Sequence, residues 1–382
     1  MLMSFSSLGL SESLLKVIQQ QNYTKPFPIQ AQAIPVALQG RDMLGIAQTG
    51  SGKTMSFVLP ILELLRKASP SRNRHVGALV LVPTRELAIQ VEEVVRLFSA
   101  ALPERIKSLA VYGGVSINPQ MIKMQGVEIL VATPGRLLDL VSSNAVNLSE
   151  VRMLVLDEAD KMLNLGFRDE MADIFKLLPE KRQNLLFSAT LSKEVLNLNE
   201  ILLHDPVVVK VEAQEQNLDN ITQFAYYVTP ERKGPLLRYL IDQENMEQVL
   251  IFVSETMRAD AVVVKLRQNG IKAAALHGKL SQGARTRALA DFKEGRITAL
   301  VATDLASRGI DIEYLPYVIN YELPRSPKDY IHRIGRTGRA EAPGTAISLV
   351  CEEDRHHFKV IQKKMGRWVN FTYTDDINLQ GF

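Results

Sequence analysis

Residues 47–54 read AQTGSGKT, a run with two glycines that ends in a lysine and a hydroxyl side chain. That spacing suits a polyphosphate. Gly50 and Gly52 let backbone N–H groups approach phosphate oxygens, the Lys53 ammonium reaches the β and γ phosphates, and the Thr54 hydroxyl ligates Mg²⁺. Gln48, Thr49 and Ser51 complete the loop. Ala47 stands where the general GxxxxGK[ST] pattern has its first glycine, and at the end of a strand a small Cβ is tolerated there. Downstream, residues 153–160 read MLVLDEAD. Asp157 closes the apolar run and is positioned to hold Mg²⁺ through water, while Glu158 is positioned to orient or deprotonate an attacking water. A chance Gly-rich turn and a solvated acidic turn are the plainer readings, but neither accounts for the apolar strand leading into each motif.

These side chains need rigid elements beneath them. DMLGIA before the loop is strand-like and KTMSFVLPILELLRK after it has helical period, the context a phosphate loop requires. From residue 42 onward, short runs of Val, Ile and Leu (ALVLVP, VEILVAT, VRMLVLDEAD, RQNLLFSAT) alternate with helical segments such as ELAIQVEEVVRLFSAAL. Continuous apolar strands between helices predict a parallel sheet covered on both faces. The polar stretch EAQEQNLDN at 212–220 breaks the rhythm as a linker does. QVLIFVSE, IKAAALHG, ITALVATD, YVINYELP and GTAISLVC then resume it. The chain is therefore predicted to be α/β, with domains at 1–211 and 220–382 joined by a linker at 212–219.

Composition bounds the partners. The chain has 382 residues, enough for two cores, and its 46% hydrophobic and 23% charged content is that of a globular protein. A formal charge of +3 is too small for whole-molecule attraction to a polyanion, so any such binding must come from local clusters. The single cysteine, Cys351, excludes an intramolecular disulfide and reads as an inert packed thiol. No apolar run approaches the roughly 20 residues of a membrane helix, and the N-terminus lacks the form of a secretory signal. These features predict a cytoplasmic protein without membrane partners.

Read in order with PTRELA (83–88), TPGR (133–136), SAT (188–190), ATDLASRGID (302–311) and HRIGRTGR (332–339), the motifs resemble those of the DEAD-box ATP-dependent RNA helicases, of the compact bacterial RhlE-like type. The resemblance runs from Phe5 to Arg339. It implies two tandem RecA-like domains, each a parallel sheet flanked by helices, the first binding ATP and the second being the C-terminal helicase domain. It also implies ATP and Mg²⁺ as cofactors, and RNA, single-stranded or in short duplexes, as a partner bound with little sequence specificity. In this family the phosphate loop typically begins with Ala.

The resemblance extends to individual residues. NYTKPFPIQ at 22–30 matches the Q motif, in which Gln30 reads the adenine edge and Phe5 stacks on the ring; a packed N-terminal aromatic is the other reading of Phe5. Asn22 replaces the usual Gly and Phe27 the usual Thr or Ser. Transition-state charge on the γ-phosphoryl group otherwise lacks a cation on its open side. Arg336 and Arg339, spaced i, i+3 and so on one face of a helix, become arginine fingers supplied by the second domain. Gly309 and Asp311 contact the nucleotide, Asp311 at the ribose. Asp160, Ser188, Thr190 and His332 form the coupling element that senses closure.

For RNA, the matching residues are Thr84, Arg85, Gly113, Gly114, Thr133, Gly135 and Arg136 in the first domain, and His277, Gly278, Gln282, Arg285 and Thr303 in the second. Singly, each fits a surface ion pair or a turn equally well; the ensemble carries the assignment. The implied mechanism is closure of both domains on ATP, aligning their RNA surfaces so that a strand is bent out of duplex geometry. Two rivals remain open. An ATP-gated RNA clamp or assembly scaffold would separate few base pairs in an unwinding assay, and a DNA helicase of the same superfamily would be stimulated by DNA. Ribonucleoprotein, degradation or assembly partners are all compatible with the motifs. Near the C-terminus, Lys363, Lys364 and Arg367 beside Trp368 have the make-up of a small RNA-stacking patch, although a helix end whose Trp packs on the domain is the simpler expectation.

Overall fold

The computed structural model describes residues 4–48, 50–69, 71, 73–211, 218–304, 315–338 and 343–382. The chain divides into two compact units, Met1–Ala213 and Gln214–Phe382.

The first unit holds strands β1 (Met43–Ile46), β2 (Ala78–Leu81), β3 (Ser108–Val111), β4 (Ile129–Ala132), β5 (Met153–Leu156), β6 (Gln183–Ser188) and β7 (Val207–Lys210). They form one sheet in the order β3-β4-β2-β5-β6-β1-β7, and every pairing is parallel. Helices α1 (Glu12–Gln20), α2 (Pro28–Leu38), α3 (Lys53–Leu65) and α4 (Arg85–Ser99) cover one face. Helices α5 (Asn118–Lys123), α6 (Pro134–Ser142), α7 (Ala159–Asn164), α8 (Arg168–Lys176) and α9 (Lys193–Leu202) cover the other. Alternation along a single strand feeds both layers: Ala78 and Val80 pack toward α3 and α4, Leu79 and Leu81 toward the opposite helices. Strands coated on both faces are buried along their whole length, as β1, β2, β4, β5 and β6 are; they are predominantly apolar, and the polar Gln183, Asn184 and Ser188 of β6 are each hydrogen-bonded.

The second unit holds β8 (Ile221–Tyr227), β9 (Val249–Val253), β10 (Ala273–Leu276), β11 (Ala299–Thr303), β12 (Tyr317–Asn320), β13 (Gly344–Val350) and β14 (Phe371–Tyr373). Their order is β10-β11-β9-β12-β13-β8-β14, again all parallel. Seven strands apart in number, the two sheets follow the same weave. Helices α10 (Lys233–Gln243) and α11 (Thr256–Gln268) pack on one face. On the other lie α12 (Gln282–Lys293), α13 (Pro327–Ile334) and α14 (Arg355–Met365).

Two parallel sheets flanked by helices meet the predicted fold class. The predicted strand segments correspond to β1, β2, β4, β5, β6, β9, β10, β11, β12 and β13; β3, β7, β8 and β14 were not anticipated. Of the predicted linker, residues 212–217 lie outside the described residues, and Leu218–Asn220 is a short 3-10 turn leading into β8. No helix among the described residues is long and apolar enough to cross a membrane.

Candidate functional site

Strand order sorts the candidate residues before any side chain is considered. In the first unit, the loops after β1, β5 and β6 carry the nucleotide and coupling candidates, and these strands lie side by side. The loops after β2, β3 and β4 carry the RNA candidates, and these strands form the other half of the sheet. In-register pairs Leu81↔Leu156, Leu81↔Ala132 and Val111↔Ala132 leave the carboxyl ends level, the edge of a parallel α/β sheet where ligands bind.

The phosphate loop joins β1 to α3. Ala47 is 2% exposed and its N–H donates to the Ser188 carbonyl at 3.1 Å, so it extends the β1–β6 ladder and leaves room only for a small side chain. Gly50 (φ 79) and Gly52 (φ 84) both adopt the left-handed region, turning successive N–H groups toward one concavity at the start of α3. Gly52 is doubly constrained, because a Cβ there would come within 2.8 Å of the Phe27 ring. The Lys53 ammonium, 6% exposed, donates to the Ala47 carbonyl at 2.8 Å. Thr54 is half-buried in the first turn of α3, and the Ser51 hydroxyl donates to the Gln48 carbonyl at 2.7 Å. Thr49 lies outside the described residues.

Asp157 follows β5 and is 2% exposed. Its N–H donates to the Leu81 carbonyl at 3.0 Å, and its Oδ1 accepts from the Glu158 N–H at 2.9 Å. Burial pushes its carboxyl up to about 6; the Lys53 ammonium opposes that shift and the Glu158 carboxylate adds to it. Glu158 takes a left-handed backbone (φ 54, ψ 47), a conformation costly to a non-glycine residue and common at functional sites. One Glu158 oxygen is tied to Lys161 Nζ at 2.6 Å. The other, Oε2, is buried with no hydrogen-bond partner among the described residues. A buried orphan acceptor beside a desolvated carboxylate fits a hydrated divalent cation and its water shell. Among the described residues no group of three or more His, Cys, Asp or Glu forms a metal cage.

The coupling candidates of this unit meet directly. Thr190 Oγ1 donates to Asp160 Oδ2 at 2.8 Å, and the fully buried Ser188 hydroxyl donates to the Thr190 carbonyl at 2.8 Å. The loop after β6 is thus hydrogen-bonded to the helix that begins with the acidic motif.

The Q-motif segment touches the phosphate loop. Gln30 is 2% exposed; its Oε1 accepts from the Phe27 N–H at 2.9 Å and its Nε2 donates to the Gly52 carbonyl at 3.0 Å. Asn22 has φ 59, and the Tyr23 N–H donates to the Ile18 carbonyl at 3.1 Å, closing α1 with a left-handed cap. Asparagine is among the few residues that take this conformation readily, which explains how it stands in for glycine. Phe27 precedes α2 without a side-chain cap, and its ring lies against Gly52 while remaining 47% exposed. Phe5 is 5% exposed and packs into the core.

On the RNA half, Thr84 caps α4 by accepting from the Leu87 N–H at 3.3 Å, and the Arg85 guanidinium lies across Gly114 (φ 76), where a Cβ would collide with it. Arg136, in the first turn of α6 after Thr133 and Gly135, is 8% exposed; its Nη2 donates to the Val115 carbonyl at 2.9 Å and its Nε to Asp139 at 3.2 Å. Its Nη1 is buried without a partner among the described residues. Gln120, which sequence reasoning missed, pins the same glycine loop by accepting from the Tyr112 N–H at 2.9 Å and donating to the Tyr112 and Ser116 carbonyls.

In the second unit the RNA candidates are mostly interior. His277, Gln282, Arg285 and Thr303 are all 7% exposed or less, and His277 Nε2 pairs with Asp260 at 3.0 Å. Gly278 is the exposed member. The helical spacing expected for the arginines does not hold. The α13 helix ends at Ile334 with Gly335 as its cap, so Arg336 lies beyond it; the Leu315 N–H donates to the Arg336 carbonyl at 3.1 Å and fixes its backbone. Gly338 (φ 63) packs so closely on Ile221 and Asn220 that a Cβ would collide with them. Arg339, Gly309 and Asp311 lie outside the described residues. His332 sits in the last turn of α13.

A neighbour not singled out in the sequence holds this region together. Arg333, 2% exposed, makes two parallel bonds to Asp304 at 2.6 and 2.7 Å, donates to Asn320 Oδ1 and the Glu322 carbonyl, and lies 4.9 Å over the Phe252 ring. Its signal was the repeated arginine of HRIGR, where only Arg336 drew attention. Arg333→Leu is expected to destabilise this unit by about 3 kcal/mol, the low end for breaking a buried ion pair, because the Asp304 side chain keeps 31% exposure. Thermal unfolding checks it: a melting temperature within about 1 °C of wild type contradicts the role.

Comparison with known proteins identifies the family. The DEAD/DEAH box helicase family matches residues 27–198, and the helicase conserved C-terminal domain matches 232–341. The chain is 39% identical over 360 residues to the ATP-dependent RNA helicase CshA of Listeria monocytogenes, covering 94% of this chain and 68% of that one. It is 40% identical over 369 residues to the DEAD-box ATP-dependent RNA helicase CshA of Geobacillus kaustophilus, covering 95% and 78%. Among solved structures, S. cerevisiae Dbp5 bound to RNA and ADP BeF3 matches with a TM-score of 0.83 at 33% identity, over 98% of this chain and 96% of that one. A DEAD box protein from Methanococcus jannaschii matches with a TM-score of 0.55 at 36% identity, over 97% and 99%. With both family regions matched and relatives near 40% identity along almost its full length, the chain belongs to the DEAD-box helicase family.

Proposed function

We propose that the chain is an ATP-dependent RNA helicase in which RNA-stimulated ATP hydrolysis drives local separation of RNA strands. The observation that carries this is the buried trio of the first unit: Asp157 desolvated, its carboxyl opposed by Lys53, and Glu158 beside it with a buried acceptor to spare. Such a desolvated site magnifies charge interactions with a polyphosphate. The CshA relatives, which are ATP-dependent RNA helicases, and the Dbp5 structure bound to RNA and ADP BeF3 support the same reading.

In this reading the left-handed glycines and the α3 N-terminus hold the phosphates, and Lys53 neutralises the β and γ groups. Thr54 and, through water, Asp157 would hold Mg²⁺. When bound, that ion neutralises charge developing on the phosphate oxygens. Glu158 orients or deprotonates the attacking water. Gln30 senses the base while bonded to the Gly52 carbonyl, so adenine recognition reaches the phosphate loop in one step. Phe5, packed in the core, supports that segment from below, with stacking on the base left as its further role. Arg336 and Arg339 supply the cation on the γ side, and Gly309 and Asp311 contact the nucleotide. ATP held by both units draws them together, and the Asp160, Ser188, Thr190 and His332 group couples that closure to the loops that hold RNA. Contacts from helix starts and glycine loops to the phosphate backbone imply little sequence specificity. We place the protein in the cytoplasm, a reading supported by its one buried cysteine, whose thiol is pushed up by burial.

ATP turnover measured with and without single-stranded RNA tests the proposal. Turnover is expected to rise with RNA and far less with DNA of the same sequence; equal rates in all three conditions defeat it. Glu158→Gln is expected to lower stimulated turnover by about a hundredfold while trapping ATP and RNA on the protein, measured by filter retention. Unchanged turnover in that variant removes Glu158 from the chemistry.

A further inference from the structure

The chain has one tryptophan, Trp368, and it is 67% exposed. That overturns the simpler expectation that it packs on its domain. It lies two residues beyond Gly366 (φ 72), the left-handed cap of α14. Both of its neighbours are anchored inward. The Arg367 guanidinium donates to the Leu218 carbonyl at 2.6 Å, and the Val369 N–H donates at 2.6 Å to Oε1 of Gln362, itself 2% exposed. Val369 packs against the cluster containing Tyr330 and Phe358. A backbone held this firmly could have turned the indole inward; instead it presents a large apolar ring to water.

The charge around the ring is cationic on the helix side. Lys363 and Lys364 are exposed in the last turn of α14, and Arg367 follows immediately. The acidic group paired on this side is Asp219, 3.8 Å from the Arg367 guanidinium, while Asp375 and Asp376 follow β14 at its far end. An exposed aromatic ring just beyond two exposed lysines, with Arg367 already held by Leu218 and Asp219, is the kind of pairing that binds single strands, the ring stacking on a base and the lysines tracking the phosphates.

We propose that Trp368, with Lys363, Lys364 and Arg367, is a stacking site for single-stranded RNA, separate from the RNA candidates that follow β10 and β11. It rests on the RNA-helicase reading above and extends it. β10 and β14 are opposite edges of one seven-stranded parallel sheet, and Trp368 precedes β14 whereas the other candidates follow β10, so the two regions lie at opposite ends of the strands as well as six strand spacings, roughly 29 Å, apart sideways. Only a strand long enough to cross that distance engages both. The site therefore adds affinity for long single strands and little for short ones, without reading sequence.

Because Trp368 is the only indole, its emission reports on this patch alone. The full chain is titrated with a fluorescein-labelled oligouridylate long enough to span both edges, following label anisotropy and indole emission together. The indole is expected to be quenched along the same binding curve. Trp368→Ala is expected to weaken binding about fivefold or more, the low end for losing one base–aromatic stack. Trp368→Phe keeps a ring and is expected to bind within about twofold of wild type, which separates lost stacking from lost folding. Lys363→Gln with Lys364→Gln is expected to reduce the salt slope by about 1.4. If anisotropy rises while indole emission stays unmoved and Trp368→Ala binds as wild type, the stacking site is overturned and the helicase reading stands. If RNA neither binds nor stimulates ATP turnover, the helicase reading itself fails.

Discussion

Replacing Arg336 with alanine is expected to lower RNA-stimulated ATP turnover by about 10³-fold or more while leaving nucleotide affinity nearly unchanged. Phosphoryl transfer spreads charge over the γ oxygens only as the bond breaks, so a cation aimed there acts on the transition state rather than on bound ATP. The backbone makes Arg336 suited to the task. It sits just past the Gly335 cap, with its N–H donating to the Arg333 carbonyl at 3.1 Å and its carbonyl accepting from Leu315, so the guanidinium is carried on a fixed stem. Steady-state turnover and titration with a fluorescent ADP analogue separate the two effects. A turnover rate equal to wild type removes Arg336 from the hydrolytic machinery, and a parallel loss of nucleotide affinity shows that it serves ground-state binding instead. Arg336→Lys retains the charge without the planar fork and is expected to fall between the two.

Asp157→Asn is expected to cost about 10³-fold in hydrolysis, yet to make the nucleotide-free protein more stable. The sign follows from its titration. An aspartate raised from 3.8 to about 6 by burial binds its proton more tightly folded than unfolded. Below about pH 4 both states are protonated and the penalty is absent; it grows as pH rises and is fully present above about pH 6. At neutral pH it amounts to on the order of 3 kcal/mol, which asparagine removes while its own carbonyl can still accept from the Glu158 N–H. Thermal unfolding at pH 5 and pH 8 checks this, with the melting temperature of the variant exceeding wild type by several degrees at pH 8 and by less at pH 5. A variant less stable than wild type at pH 8 contradicts it. Saturating Mg²⁺ and ADP are expected to narrow the gap, because the ionised carboxylate then has a partner.

What could be read from the sequence follows from how each element is covered. β1, β2, β4, β5 and β6 are sandwiched between helices and buried along their whole length, so each carries an apolar run that makes it conspicuous. β3, β7 and β14 are sheet edges with partial burial, and β8 alternates between buried and exposed positions beside the short β14, so none offers a continuous apolar run. The phosphate loop, the acidic motif and the Ser188–Thr190 segment were legible because their chemistry fixes residue type and spacing together. Arg333 and Gln120 were not, since a buried arginine or glutamine looks like any surface polar residue until its partners are known. The helical spacing of Arg336 and Arg339 was misjudged because α13 ends at Ile334, before either arginine. Trp368 was misjudged for a simpler reason, that burial is the usual fate of tryptophan.

The shared weave of the two sheets lets equivalent positions of the two units be compared directly. Lys233 opens α10 as Lys53 opens α3, and both are 6% exposed, but the Lys233 ammonium donates to the Tyr321 carbonyl at 3.0 Å and no glycine pair precedes it in VTPERK. Equivalent positions of the two sheets thus carry a glycine-rich loop in one unit and, in the other, a lysine bound to its own fold. Substitutions at 228–233 are then expected to be felt through packing and the Lys233–Tyr321 bond, whereas those at 48–54 are expected to be felt in the chemistry as well.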